Sequence, residues 1–192
     1  MCNGFCIVCV QCITNDALTC NGLAHNCTGN DTVCMSVVTE TSTAVGKTTT
    51  TFERSCGNSF QCLIPGSMTS FKMSTRTNNT CCYEDFCSPK RPMLPLVNMD
   101  YNDIQCKTCF AHDVKECSDF GILDCTGDEQ SCVKYTLTDN SGFTFIWGCS
   151  TKSFCRQAFS QQLISGQNLT VSAECSDDIK TKSYTGENPA AY

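Results

Sequence analysis

The clearest alternation of apolar and polar positions lies between Cys132 and Cys149. Val133, Tyr135 and Leu137 precede a turn, and Phe143, Phe145 and Trp147 follow it. A period of two on both sides of Asp139-Asn140-Ser141-Gly142 predicts a β-hairpin, because strand side chains point alternately to the two faces. In a thin domain the face shared by Phe143, Phe145 and Trp147 is expected to be core, while Ile146 points the other way, towards the neighbouring domain or a partner. Exposed apolar and aromatic side chains anchor protein interfaces, so Phe143, Phe145, Ile146 and Trp147 are the candidate partner-binding residues, ahead of Phe71 and Met73.

A second stretch, MSVVTETSTAVGKTTTTFERS around Gly46, is rich in threonine and β-branched residues and reads as a weaker hairpin of the same kind. LIPGSMTSFKMSTRTNNT carries a Pro65-Gly66 turn before a strand-like run. RQAFSQQLI spaces Ala158, Phe159, Leu163 and Ile164 near a helical period, which predicts one or two helical turns before the strand-like NLTVSAE.

These segments are bounded by cysteines that repeat. Cys9, Cys12, Cys20, Cys27, Cys34, Cys56, Cys62 and Cys81 are separated by 2, 7, 6, 6, 21, 5 and 18 residues. Cys106, Cys109, Cys117, Cys125, Cys132, Cys149, Cys155 and Cys175 are separated by 2, 7, 7, 6, 16, 5 and 19. All but the long interval agree to within one residue, and that interval is where a hairpin can vary in length. One unit is therefore used twice: a first domain over 1–87 and a second over 106–192. Residues 88–105 join them as a linker stiffened by Pro89, Pro92 and Pro95, none of which can donate to a sheet ladder.

Composition places the chain outside the cytosol. Twenty of 192 residues are cysteine, the composition of an all-β, disulfide-rich scaffold whose thin core depends on covalent bridges. The sequons at Asn30, Asn78 and Asn168 are the expected glycosylation sites. Asn26 is weaker, since Cys27 inside its sequon has its own pairing to make. No apolar run is long enough to span a membrane, and the tail KSYTGENPAAY lacks the hydrophobic stretch of a lipid-anchor signal. MCNGFCIV is too short for a signal peptide, so a leader is expected to have been removed or Met1 added.

The formal net charge is −6, with 4 basic and 6 acidic side chains over 1–87 and 7 and 11 over 106–192. That balance argues against nucleic acid or anionic membrane as a partner and is compatible with a basic extracellular protein.

CVQC at Cys9, the evenly spaced Cys20, Cys27 and Cys34, and the closing CCYEDFC resemble the lymphocyte-antigen/urokinase-receptor family. Cys81, Cys82, Asp85 and Cys87 match that family's closing signature, and Ser88 replaces its usual asparagine. The resemblance implies two tandem three-finger, snake-toxin-like domains. It also implies a pairing that spacing alone does not choose. In the first domain Cys9 joins Cys34, Cys12 joins Cys20, Cys27 joins Cys56, Cys62 joins Cys81, and Cys82 joins Cys87. In the second, Cys106 joins Cys132, Cys109 joins Cys117, Cys125 joins Cys149, and Cys155 joins Cys175, with no final bridge.

Two domains with that asymmetry, and the stretch GCSTKSFC, are similar to gamma-type phospholipase A2 inhibitors and to sodefrin-precursor-like pheromone proteins. The resemblance implies a secreted, non-enzymatic binding protein, an inhibitor of a secreted phospholipase A2 or a similar extracellular enzyme. The alternatives are an extracellular signal or a structural component of a secretion. Cys2 and Cys6 are surplus to the pattern: they pair with each other, or one links a second chain into a covalent homo-oligomer.

CCYEDFC also resembles the active-site helix of secreted phospholipase A2, but the histidine that would polarise water is missing and no calcium loop precedes it. His25 and His112 sit in short loops of different repeats. With a partner available to every cysteine, Cys9/Cys12 and Cys106/Cys109 read as bridges rather than zinc or redox motifs. No catalytic residue, metal or cofactor is expected. Asp113, Glu116, Asp119, Asp124, Asp128 and Glu129 read as a solvated acidic face able to speed encounter with a cationic protein.

Overall fold

Threonine hydroxyls that meet across strands explain the β-branched composition of the first half. Thr39 and Thr77 approach to 3.1 Å and Thr41 and Thr75 to 3.2 Å, between β3 (Val33–Thr43) and β6 (Met73–Cys82). The structure, a computed structural model, describes residues 7–29, 31–113, 116–139, 142–158 and 170–176. Around that pair the first domain adds β1 (Val8–Asn15), β2 (Leu23–Asn26), β4 (Thr48–Gly57) and β5 (Gly66–Thr69). The second consists of β7 (Tyr101–His112), β8 (Gly121–Thr126), β9 (Ser131–Asp139), β10 (Gly142–Ser150), the short helix α1 (Lys152–Ala158) and β11 (Thr170–Ser176).

Each domain is three antiparallel fingers. Strands run β2-β1-β4-β3-β6-β5 in the first and β8-β7-β10-β9-β11 in the second. Their bases are gathered by nine disulfides among the described residues. Cys9–Cys34, Cys12–Cys20, Cys27–Cys56, Cys62–Cys81 and Cys82–Cys87 close the first domain. Cys106–Cys132, Cys109–Cys117, Cys125–Cys149 and Cys155–Cys175 close the second. Cys2 and Cys6 lie outside the described residues. The crossing bridges are themselves core: Cys9, Cys27 and Cys34 pack with Ile7, and Cys106, Cys125 and Cys149 pack with Ile104.

The segment after Cys87, expected as a proline-stiffened linker, is docked on the first domain. Residues 89–95 lie along β3 and β6 as a strap whose carbonyls accept side-chain hydrogen bonds. Ser36 Oγ donates to Pro89 O at 2.9 Å, Thr80 Oγ1 to Lys90 O, Asn78 Nδ2 to Met93 O at 2.7 Å and Arg76 Nη1 to Pro95 O at 2.7 Å. A proline-rich strand has few donors but keeps every acceptor, so polar side chains substitute for a backbone ladder. Leu94 packs on Val38 and Phe52, and the guanidinium groups of Arg91 and Arg54 stand 5.0 and 5.6 Å from the Phe52 ring. The expected boundary at 105 also shifts: Tyr101–Gln105 already belong to β7, with Tyr101 opposite Thr126 and Gln105 opposite Asp124.

The two domains share one sheet. Its seam is two residue pairs long, Cys149 opposite Thr69 and Ser150 opposite Met68. Gly148 permits the approach, since a Cβ there would stand 2.0 Å from Thr69 O. Across the seam Met68, 1% exposed, enters a core made by Val133, Ile146, Cys155 and Ala173, flanked by Tyr135, Leu137 and Phe154.

Helix α1 opens at Lys152, four residues before the expected RQAFSQQLI. Thr151 Oγ1 accepts from Phe154 N at 3.2 Å and so caps an orphan amide of the first turn. Thr151 is in turn tied to β5: its N–H donates to Ser67 O at 2.9 Å and its Oγ1 accepts from Ser67 N at 3.0 Å. Residues 159–164 of the expected helix lie outside the described residues.

Candidate functional site

The β9–β10 hairpin forms as its alternation requires, with Phe143 opposite Thr138, Phe145 opposite Thr136 and Trp147 opposite Lys134. Ile146 turns towards the neighbouring domain, one of the two expected alternatives, but the face expected as core, that of Phe143, Phe145 and Trp147, is the more open one. Ile146 is 4% exposed in the shared core, whereas Phe143 is 48% exposed and Phe145 and Trp147 are only partly covered. Met68 from the other domain supplies the apolar cover that makes the Ile146 side the core. Ile146 is thereby removed from the candidate partner-binding residues, because its contacts are already satisfied within the chain.

What remains is an aromatic stripe on the opposite face of β10. Phe143 and Phe145 stack with centroids 6.3 Å apart, and the Lys134 ammonium stands 5.0 Å from the Trp147 ring. Rigid aromatic side chains with a cation beside them are the composition of a protein-binding surface, since they bury large areas at little entropic cost. Phe71 is exposed, and Met73 packs against the shared core.

Beyond the docked part of the strap, a second apolar surface emerges that periodicity does not signal. Leu96 is 95% exposed, and Met93, Val97, Met99 and Tyr101 are also largely open. Five large apolar side chains within nine residues, held by a backbone fixed on one side, form a ridge beyond ordinary surface scatter. The only trace of it in the sequence is a run of apolar residues from Met93 to Tyr101 that Pro95 interrupts.

Between the ridge and the seam lies a cleft of about 600 Å³. Arg76, paired with Glu40 at 2.8 Å, lines it together with Glu129 and Lys152. Of the acidic group, Asp113, Glu116, Asp119, Asp124 and Asp128 are exposed as expected of a solvated face. Glu129 is not: it is 5% exposed beneath β5, and its Oε1 accepts from Thr69 Oγ1 at 3.0 Å. Burial pushes its carboxyl up to about 7, against the opposing pull of the Ser67 and Thr69 hydroxyls. Glu53, in the middle of the first domain's sheet, is also raised to about 7 by burial, with the Ser55 hydroxyl opposing.

The remaining candidates are placed as follows. Asp85 Oδ1 accepts from Val8 N at 2.9 Å and Phe86 N donates to Val8 O at 2.7 Å, so the acid of CCYEDFC ties the closing loop to β1. His25 is exposed on β2 of the first domain, and His112 Nδ1 lies 2.7 Å from Thr144 Oγ1 within the second. The sulfurs of Cys9, Cys27 and Cys56, and of Cys106, Cys125 and Cys149, lie within 4.8 Å of one another, but every one is spent in a disulfide. Asn26 is exposed on β2, while the Nδ2 of Asn78, the atom a glycan would take, already donates to Met93 O. Asn30 and Asn168 lie outside the described residues. No helix among the described residues is long and apolar enough to cross a membrane.

A family model described as the u-PAR/Ly-6 domain matches twice, at residues 7–90 and 102–182. The chain is 29% identical over 153 residues to a phospholipase A2 inhibitor gamma chain from Laticauda semifasciata, covering 74% of this chain and 81% of that protein. It is 29% identical over 161 residues to the phospholipase A2 inhibitor NAI from Notechis ater, covering 79% and 78%. Of solved structures, that of mouse TEX101 aligns over 89% of this chain and 97% of its own at 18% identity with a TM-score of 0.33, a likeness too slight to add to the assignment. Two matched modules and their disulfide ladders make the chain a member of the u-PAR/Ly-6 family.

Proposed function

We propose that the protein acts outside the cell as a non-catalytic binding protein, and that its partner is a secreted phospholipase A2 or a similar extracellular enzyme. The observation that carries this reading is the aromatic stripe of Phe143, which is exposed, and the half-buried Phe145 and Trp147, on a sheet whose other face is packed. Relatives named as phospholipase A2 inhibitors over about three quarters of the chain support the choice of partner class. The exposed acidic residues of the second domain favour a basic enzyme through faster encounter, an effect that salt removes.

The test is inhibition of a panel of basic and acidic secreted phospholipases A2 by the purified chain, with Phe145→Ala/Trp147→Ala beside it. The reading predicts inhibition of at least one enzyme at or below micromolar concentration and a loss of about 10-fold or more in the variant. Unchanged activity across the panel, with no binding in solution, would reject the partner class. Equal potency of the variant would reject the surface.

A further inference from the structure

We propose that Glu129 is an acid-set latch between the two domains: protonated, it closes the β5–β10 seam, and ionised, it loosens it. The geometry is that of a buried carboxyl placed where two bodies meet. Glu129 belongs to the β8–β9 turn of the second domain, and its Oε1 is held by Thr69 of the first, the residue that also pairs with Cys149 across the seam. Its Oε2 is buried without a hydrogen-bond partner. A carboxylate so placed forfeits its hydration and finds only hydroxyl donors, whereas the neutral acid has little hydration to lose.

Arg76 on β6 is held by Glu40 on β3 and by Pro95 O, and Asp128, next in the turn, adds a like charge. Lys152 at the start of α1 lines the same cleft with its side chain exposed. From β5 come the Ser67 and Thr69 hydroxyls, and from β7 the amide of Asn102, which donates to the Glu129 main-chain carbonyl at 3.1 Å. The seam that the latch guards is the narrowest part of the sheet, two residue pairs against ten between β3 and β4.

The direction follows from linkage. With the seam closed the carboxyl titrates near 7, and once the seam opens and water reaches it the value returns to about 4.5. Below both values the proton stays on in either state and closure costs nothing. Between them the open state releases its proton first, so closure weakens as pH rises and levels off above 7. The spread between the two values sets the limit of the effect, about 300-fold in the closed-to-open ratio.

Hydrogen exchange of the intact, oxidised protein measures this directly. After correction for intrinsic rates, amides over 66–70 and 148–151 are expected to lose protection by on the order of 10²-fold between about pH 4.5 and pH 7.5. Glu129→Gln should remain protected throughout, while Glu53→Gln, which removes the other raised acid away from the seam, should keep the wild-type fall. Thr69→Val removes a donor to the carboxylate and should move the midpoint to higher pH, an effect a purely structural threonine would not produce. A flat wild-type profile, a fall that persists in Glu129→Gln, a fall abolished by Glu53→Gln, or an unmoved midpoint in Thr69→Val would each overturn the latch. No phospholipase or other partner enters any of these readouts, so they stand or fall apart from the inhibitor reading.

Discussion

The two domains are built on one cysteine ladder but finish their cores differently. The first closes itself: a fifth bridge, Cys82–Cys87, locks its end, Asp85 ties that lock to β1, and the strap lays Leu94 and Arg91 over Phe52. The second, among the described residues, has no fifth bridge and no strap. Its sheet is covered on one face by Met68 and Met73 from the first domain and by Phe154 from α1, and its other face carries the partly exposed aromatic stripe. The lesson is that a missing bridge in a thin repeat is offset by borrowing a neighbour's side chains, and that the borrowed cover decides which face is left for binding.

Removing every bridge should erase the comparison. In reductant both domains are expected to unfold together, seen as loss of exchange protection throughout, because cores this small are marginal without covalent restriction of the unfolded chain. Met68→Ala should come next, with a loss of about 3 kcal/mol on denaturant unfolding. Although the change lies in the first domain, protection should fall mainly over β9, β10 and β11. Cys82→Ala/Cys87→Ala makes the end of the first domain resemble that of the second. Loss of so short a loop should cost roughly 2 kcal/mol while leaving the fold intact by circular dichroism. Arg91→Ala removes the cation over Phe52 and a donor to Ala17 O, and should cost about 1 kcal/mol and raise exchange over 89–95 without touching the second domain.

The strands and hairpins were legible in the sequence because period and turn residues are local properties. Val133, Tyr135 and Leu137 announced β9, and Phe143, Phe145 and Trp147 announced β10. Which side of β10 is core was not legible, since alternation defines two faces and the choice between them depends on Met68, over seventy residues away. Glu129 was hidden for the same reason: among acidic neighbours it reads as surface, yet it is buried and bonded to Thr69 on β5 of the other domain. The strap was half legible. Its prolines exclude it from a ladder, but its acceptors are matched by Ser36, Arg76, Asn78 and Thr80, scattered over two strands. The early start of α1 depends on Thr151 being held by Ser67 across the seam, which no window on 151–164 contains.

Calorimetry of the oxidised wild-type protein at about pH 5, where Glu129 is largely protonated, tests most directly that the two domains are one body sharing one core. Met68 joining the two cores predicts a single transition whose calorimetric and van't Hoff enthalpies agree. Two resolved transitions, or one whose calorimetric enthalpy is about twice the van't Hoff value, would show domains that unfold independently and would contradict it.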